Sequence, residues 1–414
     1  MPAYSLVDLF RVFGRIGLLS FGGPAAQIAL MHRELVEQRP WLSEEQFLRA
    51  LSFCMLLPGP EAMQLATYAG WRLRGIPGGL IAGLLFVLPG AATVLALALA
   101  YVTWGNLPMV QAMFLGIKAT VVVIVAQALW RLSRKALGGP GALWVAVASF
   151  IAIFALGLPF PLIVAAAAAW GFAVTRGKPV PDDTPAPPRT RNVATIATWL
   201  ALWLLPVGAL WLWGPPILAQ VALFFSKLAV VTFGGAYAVL AYMTQEVVTT
   251  HGWLSTGQML DALGLAETTP GPLILVTEFV GFLAGHGAGG WRMGVAAALV
   301  TLWVTFTPCF LWIFAGAPHI DRLARAPRLS GALAAVTAAV VGVIANLSLW
   351  FAIHVFFGEV GQVSAGAITL PAPLLSSLSV PALGLAALAS LLLIWRRWPL
   401  PAALAFTALA AGLI

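Results

Sequence analysis

Charge is what this chain has least of. Asp, Glu, Lys and Arg together make up 9% of its 414 residues, where a soluble domain carries about 25%. That figure excludes a water-soluble fold, because a polar surface cannot be built from so few charges. Acidic residues are the scarcer sign, 14 against 22 Lys and Arg, for a net charge of +8. In a soluble chain such an excess would suggest nucleic acid. Here the basic residues lie mostly between apolar runs, where membrane topology accounts for them, and no nucleic-acid partner is expected. Cysteine is nearly absent. Cys54 and Cys309 sit in apolar segments, with neither metal-ligand spacing nor a disulfide framework. No HExxH, no GxSxG, no paired intramembrane aspartates and no ATP-binding motif occur, and His286 and His319 fall in predicted loops. Metal, cofactor, enzymatic chemistry and ATP-driven pumping are therefore not expected.

What is abundant is hydrophobic sequence, 61% of the chain, in many runs that approach or exceed the ~20 residues of a bilayer span. It is also duplicated. Phe21-Gly22-Gly23 recurs as Phe233-Gly234-Gly235, Trp41-Leu42-Ser43 as Trp253-Leu254-Ser255, and Pro58-Gly59-Pro60 as Pro270-Gly271-Pro272, all in register. After a short insertion Pro89 matches Pro308 and Gln127 matches Asn346. A duplicated apolar half is a mark of transporter architecture. The reading is an all-α polytopic membrane protein of about 13 apolar segments. Residues 1–175 form a first repeat, 176–195 a Pro-rich charged linker, 196–215 an unpaired crossing and 216–414 a second repeat.

Loop charge orients the segments. Arg72 and Arg74, then Arg131, Arg134 and Lys135, then the basic linker, then Arg322, Arg325 and Arg328, then Arg396 and Arg397 fall in one set of connections. The alternate connections hold Arg33 and Arg39, offset by Glu34, Glu37, Glu44 and Glu45. The positive-inside rule puts the first set in the cytoplasm and residues 284–290 outside. Equivalent loops of the two halves then face opposite sides. Two inverted-topology repeats follow, with 196–215 as the odd crossing that flips the second copy.

Ser43-x-x-Gln46 and Ser255-x-x-Gln258 are capping boxes that start a helix near the membrane surface. Each helix meets Pro-Gly-Pro about 15 residues on, roughly 22 Å along its axis, short of the ~30 Å hydrocarbon core. Phe-Gly-Gly, followed by Pro24 in the first copy, breaks the preceding segment. Broken helices are tolerated in hydrocarbon only where the backbone faces protein, a cavity or a ligand, and half-helix N-termini favour anions. An isolated glycine pair is usually a packing kink. Paired breaks in both halves point instead to a binding site near the midplane. The expected site is Phe21, Gly22, Gly23, Pro58, Gly59, Pro60, Gly234, Gly235, Pro270, Gly271 and Pro272. Three cations in apolar segments join it: Arg15, its repeat equivalent Lys227, and Lys118. Each costs ~2.5–3.5 kcal/mol at a helix centre, unless it snorkels or meets an anion. The carboxylates Glu61 and Glu267 are candidate proton carriers, with Glu278 a third buried acid, or else they are structural partners of the cations. Ser20, Gln27, Gln64, Thr232, Thr268 and Thr269 flank the breaks as possible oxyanion donors or plain packing residues.

The pattern SFGGPAAQIALMH…WLSEEQF…LLPGPEAMQLATYAGW, paired with TFGGAYAVL…WLSTGQML…ETTPGPLI, resembles the chromate ion transporter family in its long, two-domain form. The resemblance covers both halves. It implies a multi-pass inner-membrane exporter of chromate that confers chromate resistance. Ala236 stands where the second Phe-Gly-Gly would carry proline. Sulfate or another tetrahedral oxyanion is the alternative substrate. An anion channel and an intramembrane enzyme are the readings from other classes. The expected partners are the oxyanion and the lipid bilayer, and a homodimer is compatible with the sequence.

Overall fold

The computed structural model describes residues 4–21, 23–139, 141–175, 189–233, 236–320, 326–366 and 368–413. Gly22, Gly234, Gly235, most of the linker and Arg322 and Arg325 of the basic loop lie outside the described residues. In chain order the helices are α1 Leu6–Leu19, α2 Gly23–His32, α3 Glu44–Cys54, α4 Glu61–Trp104, α5 Pro108–Ala136, α6 Ala142–Phe154, α7 Phe160–Val174, α8 Arg189–Trp213 and α9 Pro216–Val231. They continue as α10 Ala236–Gln245, α11 Thr256–Thr268, α12 Val276–Gly316, α13 Pro327–Phe356, α14 Val380–Ser390 and α15 Leu400–Gly412. Five of these segments are long and apolar enough to cross a bilayer: α4, α5, α8, the stretch containing α12, and α13. The protein is a mostly helical, multi-pass membrane protein. It is not purely α: Val360–Ala365 (β1) pairs antiparallel with Ile368–Pro373 (β2), Gln362 opposite Pro371. β2 is tied to the α6–α7 turn by Thr369 N–H donating to Ala155 O at 3.1 Å.

The chain forms two compact units, and each draws on both halves of the sequence. The first contains Met1–Leu99, Gly177–Ala236 and Thr269–Ser330; the second contains Ala100–Arg176, Tyr237–Thr268 and Gly331–Ile414. Segments of one repeat thus associate with segments of the other more than with the rest of their own.

In the first unit α4 and α12 are hairpins. α4 reverses at Arg74–Gly75, with Gly75 at φ 63°, and α12 at Gly289–Gly290, with Gly290 at φ 72°. Only glycine adopts such angles at no steric cost. The arms touch through glycine. A Cβ on Gly70 would lie 2.2 Å from Gly78 O, and one on Gly285 2.5 Å from Met293 O. These turns set the repeat correspondence: Gly75 matches Gly290, three residues beyond the position that the motif spacing implies. The second turn is followed by Arg292, its guanidinium 5.4 Å from the Trp291 ring centre, so it is not charge-free.

Both capping boxes form. Ser43 Oγ accepts from Gln46 N and Gln46 Oε1 from Ser43 N, each at 3.2 Å; Ser255 and Gln258 repeat the exchange at 2.9 and 3.2 Å. Each cap is worth ~1 kcal/mol. α3 is clamped to the end of α2 by His32, whose Nε2 lies 2.7 Å from Glu44 and whose Nδ1 lies 3.0 Å from Glu37. The hydrogen bond to Glu44 holds the His32 pKa above its ordinary value near 6.5.

The second unit is built by close helix contact. Gly116 of α5 lies against α15, where a Cβ would be 2.2 Å from Thr407 O, and Thr120 Oγ1 meets Thr407 Oγ1 at 2.7 Å. α7 meets α13 the same way: a Cβ on Gly171 would fall 2.3 Å from Gly331 O. Without a hydrophobic drive between helices in lipid, small residues that let backbones approach supply the packing.

Candidate functional site

The first unit holds all four helix breaks, and it joins them in pairs. α1 ends at Leu19, and Ser20 takes φ −78°, ψ 73°. α9 ends at Val231, and Thr232 takes φ −75°, ψ 87°. Both are inverse γ-turns: Phe21 N–H donates to Leu19 O and Phe233 N–H to Val231 O, each at 3.0 Å. Both hydroxyls turn back on their own helix, Ser20 Oγ to Ile16 O at 2.6 Å and Thr232 Oγ1 to Leu228 O at 2.5 Å. The carbonyls freed by the breaks accept from the other repeat. Gly59 N–H donates to Thr232 O at 2.9 Å, and Gly271 N–H to Ser20 O at 2.7 Å. Ser20 is the repeat equivalent of Thr232, and Gly59 of Gly271. The two bonds are therefore one contact made twice, with the repeats exchanged.

The glycines are required there. Gly59 has φ 115° and Gly271 φ 89°, where a side chain is strained. A Cβ on Gly59 would lie 2.9 Å from Cys309 Sγ, and one on Gly271 3.3 Å from Gly90 Cα. Gly90 and Cys309 each follow a mid-helix proline, Pro89 or Pro308, and are themselves repeat equivalents. Each Pro-Gly-Pro loop thus rests on the proline-bearing arm of the other repeat.

Two glutamines brace the loops. Gln64 Nε2 donates to Pro58 O at 2.7 Å, and Gln27 Nε2 to Gly271 O at 2.7 Å. Their nitrogens are fixed by those carbonyls, so the buried Oε1 of each points elsewhere. Both oxygens lack a hydrogen-bond donor among the described residues. Ser20, Gln27, Gln64, Thr232 and Thr268, whose Oγ1 donates to Leu265 O at 2.8 Å, spend their donors on building the breaks. The Gly59 and Gly271 amides are spent likewise.

The predicted charges lie in different settings. Arg15 and Lys227 are exposed on α1 and α9; Arg15 Nε is 3.7 Å from Glu34, a buried carboxylate also bound by Arg39. Glu61 opens α4, half-buried. Glu278 of α12 is buried, its Oε2 without a hydrogen-bond partner among the described residues. In the second unit Lys118 Nζ sits 2.7 Å from Asp261 Oδ1, and Tyr101 OH donates to Asp261 Oδ2 at 2.7 Å. Glu267 accepts from Tyr237 OH at 2.8 Å. Sequence reasoning missed Asp261, and it read Glu34 as a loop charge where the structure has it buried against Arg15 and Arg39. Asp261 stands near the start of a predicted apolar segment, and a search for an acid to match Lys118 would have found it. Among the described residues no cluster of His, Cys, Asp and Glu could hold a metal ion.

A sequence model of the chromate transporter family matches residues 7–172 and 219–413, one stretch in each repeat. The chain belongs to that family. A chromate transport protein of Cupriavidus metallidurans is 33% identical over 348 residues, 83% of this chain and 82% of that protein. One of Pseudomonas aeruginosa is 32% identical over 358 residues, again 83% of this chain and 80% of that protein. No solved structure matches. Both matched stretches of this transporter contain their Phe-Gly-Gly and Pro-Gly-Pro motifs, and the unmatched stretch between them contains the linker and all of α8.

Proposed function

We propose that this transporter exports chromate across the inner membrane by secondary transport and thereby confers chromate resistance. The observation that carries the reading is the doubled break-to-break bond, in a chain kindred over four-fifths of its length to chromate transport proteins. A contact made twice by exchanged repeats suits a device with two equivalent states. In this structure Gln27 braces only the Gly271 loop, and no glutamine from the other repeat braces the Gly59 loop, since Val239 stands at the position equivalent to Gln27. The pair is alike in its backbone bonds and unlike in the side chains around them, a difference the two repeats carry in their sequences.

The repeats are proposed to be inverted, with the charges of 71–78 inside. The half-helices starting after Pro60 and Pro272 present their positive ends to a tetrahedral dianion. Arg15 and Lys227 are the proposed sources of further positive charge and Glu61 and Glu267 the proposed proton carriers, whereas Lys118 is taken up by Asp261. Export has the favourable electrical sign: two negative charges leaving a negative interior release about 4.6 kcal/mol per 100 mV.

The test is chromate flux in inside-out vesicles, with membrane potential and pH gradient imposed separately and sulfate as competitor. Accumulation above that of vesicles lacking the protein is expected, driven by an inside-positive potential and weakly inhibited by sulfate. In Glu61→Gln or Glu267→Gln, flux is expected to lose its response to the pH gradient while chromate binding persists. Sulfate accumulation in preference to chromate would replace the substrate, and no flux in either direction would end the proposal.

A further inference from the structure

The second unit contains a cavity of about 690 Å³ that the transport reading does not use. Its walls are α5 and α14 with the turn that follows it. Along α5 it is lined by Val123, then Gln127, then Trp130 and Arg131. Along the other wall come Ala386, then Ser390, then Leu393, then Arg397. These are i, i+4, i+7 series, so each wall is one helix face. Both run from small apolar residues to an arginine, and Val123 and Ala386 share one buried cluster. The two helices are therefore parallel, and the arginines close the same end, ~12 Å from the apolar floor.

That end bears the marks of the lipid headgroup level. Trp130 is 66% exposed and Trp395, two residues before Arg397, 80% exposed; exposed tryptophans gather at the membrane interface. Neither Arg131 nor Arg397 is in a salt bridge with a described residue. Arg397 is also held at a cost. It has φ 53°, the left-handed region, and is the one non-glycine residue so placed among those described. It ends a helix, with Arg396 N–H bonded to Leu391 O at 2.9 Å and Trp398 N–H to Leu392 O at 3.0 Å. Glycine is the ordinary residue at such a helix end. An arginine there gives up backbone comfort for a guanidinium at the cavity mouth.

We infer that this cavity is a binding site for an anionic phospholipid, with an acyl chain along the apolar walls and the headgroup phosphate on Arg131 and Arg397. A small dianion would gain nothing from walls of valine, alanine and leucine, whereas an amphiphile satisfies both ends. Basic pockets between membrane helices bind phosphate headgroups in this way.

The experiment uses the full chain in detergent, titrated with equal mixtures of phosphatidylglycerol and phosphatidylcholine, with bound lipid read by native mass spectrometry. Phosphatidylglycerol is expected to be preferred about tenfold or more, the ratio two guanidinium contacts give. Arg397→Gly is expected to reduce the preference while raising thermal stability in phosphatidylcholine, because it relieves the left-handed strain. That pairing separates a lost ligand contact from a lost fold. Arg131→Gln combined with Arg397→Gly is expected to abolish the preference. Equal binding of the two lipids by the wild type, or an undiminished preference in the double variant, would overturn the inference. So would displacement of the lipid by millimolar phosphate, sulfate or chromate, which would make the cavity an oxyanion vestibule. A second copy of the chain filling the cavity would do the same.

Discussion

Gly90→Ala is expected to abolish transport as completely as Gly271→Leu, although Gly90 lies in no motif. A Cβ at 90 would sit 2.4 Å from Pro270 O and 2.6 Å from Leu275 Cδ1. The first neighbour is backbone in a loop with no room to yield, because Gly271 N–H is held by Ser20 O and Gly271 O by Gln27. Overpacking of this kind costs about 1–3 kcal/mol. A side chain at Gly59 or Gly271 adds the strain of its positive φ, about 1–3 kcal/mol more. Gly59→Ala is the more informative variant, because its nearest neighbours are the side chains Cys309 Sγ and Gln64 Nε2, both at 2.9 Å. Removing the sulfur with Cys309→Ala is expected to restore part of the lost stability of Gly59→Ala and to be nearly silent alone. Thermal unfolding in detergent and chromate flux together check this. Normal flux in Gly90→Ala would show that the loops do not rest on the opposite repeat as described.

The second large effect concerns Lys118 and Asp261. Lys118→Gln is expected to strand the Asp261 carboxylate, which is 9% exposed, and Asp261→Asn to strand the ammonium. Breaking a buried ion pair by removing one partner costs about 3–5 kcal/mol, enough to deplete folded protein in the membrane. The double variant Lys118→Gln with Asp261→Asn removes both charges, and its folded level is expected to return close to wild type. A coupling of about 2 kcal/mol or more in the cycle is the expected measure. The alternative has a different signature. If Lys118 serves the substrate first, Lys118→Gln alone will reach normal levels and raise the half-saturation constant for chromate.

That pair shows where sequence reading stops. Lys118 stands out because a cation in an apolar run is costly, and its cost is real. Its partner lies on α11, brought close only by the fold. Serine at 43 and 255 with glutamine three residues on specifies a helix start locally, and both starts form. Gly59 and Gly271 are legible as breaks because nothing but glycine adopts their φ. What each break binds is a tertiary fact. The motif spacing shows that Ser20 and Thr232 are equivalent, yet it does not say that their carbonyls receive the opposite repeat's glycine amides. The same limit applies to the predicted oxyanion donors, since hydroxyls that look available in sequence donate to carbonyls of their own helices. The hairpin Val360–Pro373 is a different kind of miss. Its two short runs around Gly366 are a strand signal, overshadowed by the long apolar segments on either side.

The inverted relation of the repeats is the claim on which alternating access depends, and one labelling experiment reaches it directly. Single cysteines at Gly75 and Gly290, the two hairpin turns, are placed separately in a background lacking Cys54 and Cys309. Each is then exposed in intact cells to a thiol reagent that does not cross the membrane. The left-handed φ of each turn makes substitution locally strained, so the neighbours Ile76 and Trp291 serve as second positions. Labelling at 290 or 291 is expected from outside the cell, and labelling at 75 or 76 only after the membrane is opened. Labelling of both turns from the same side would contradict it.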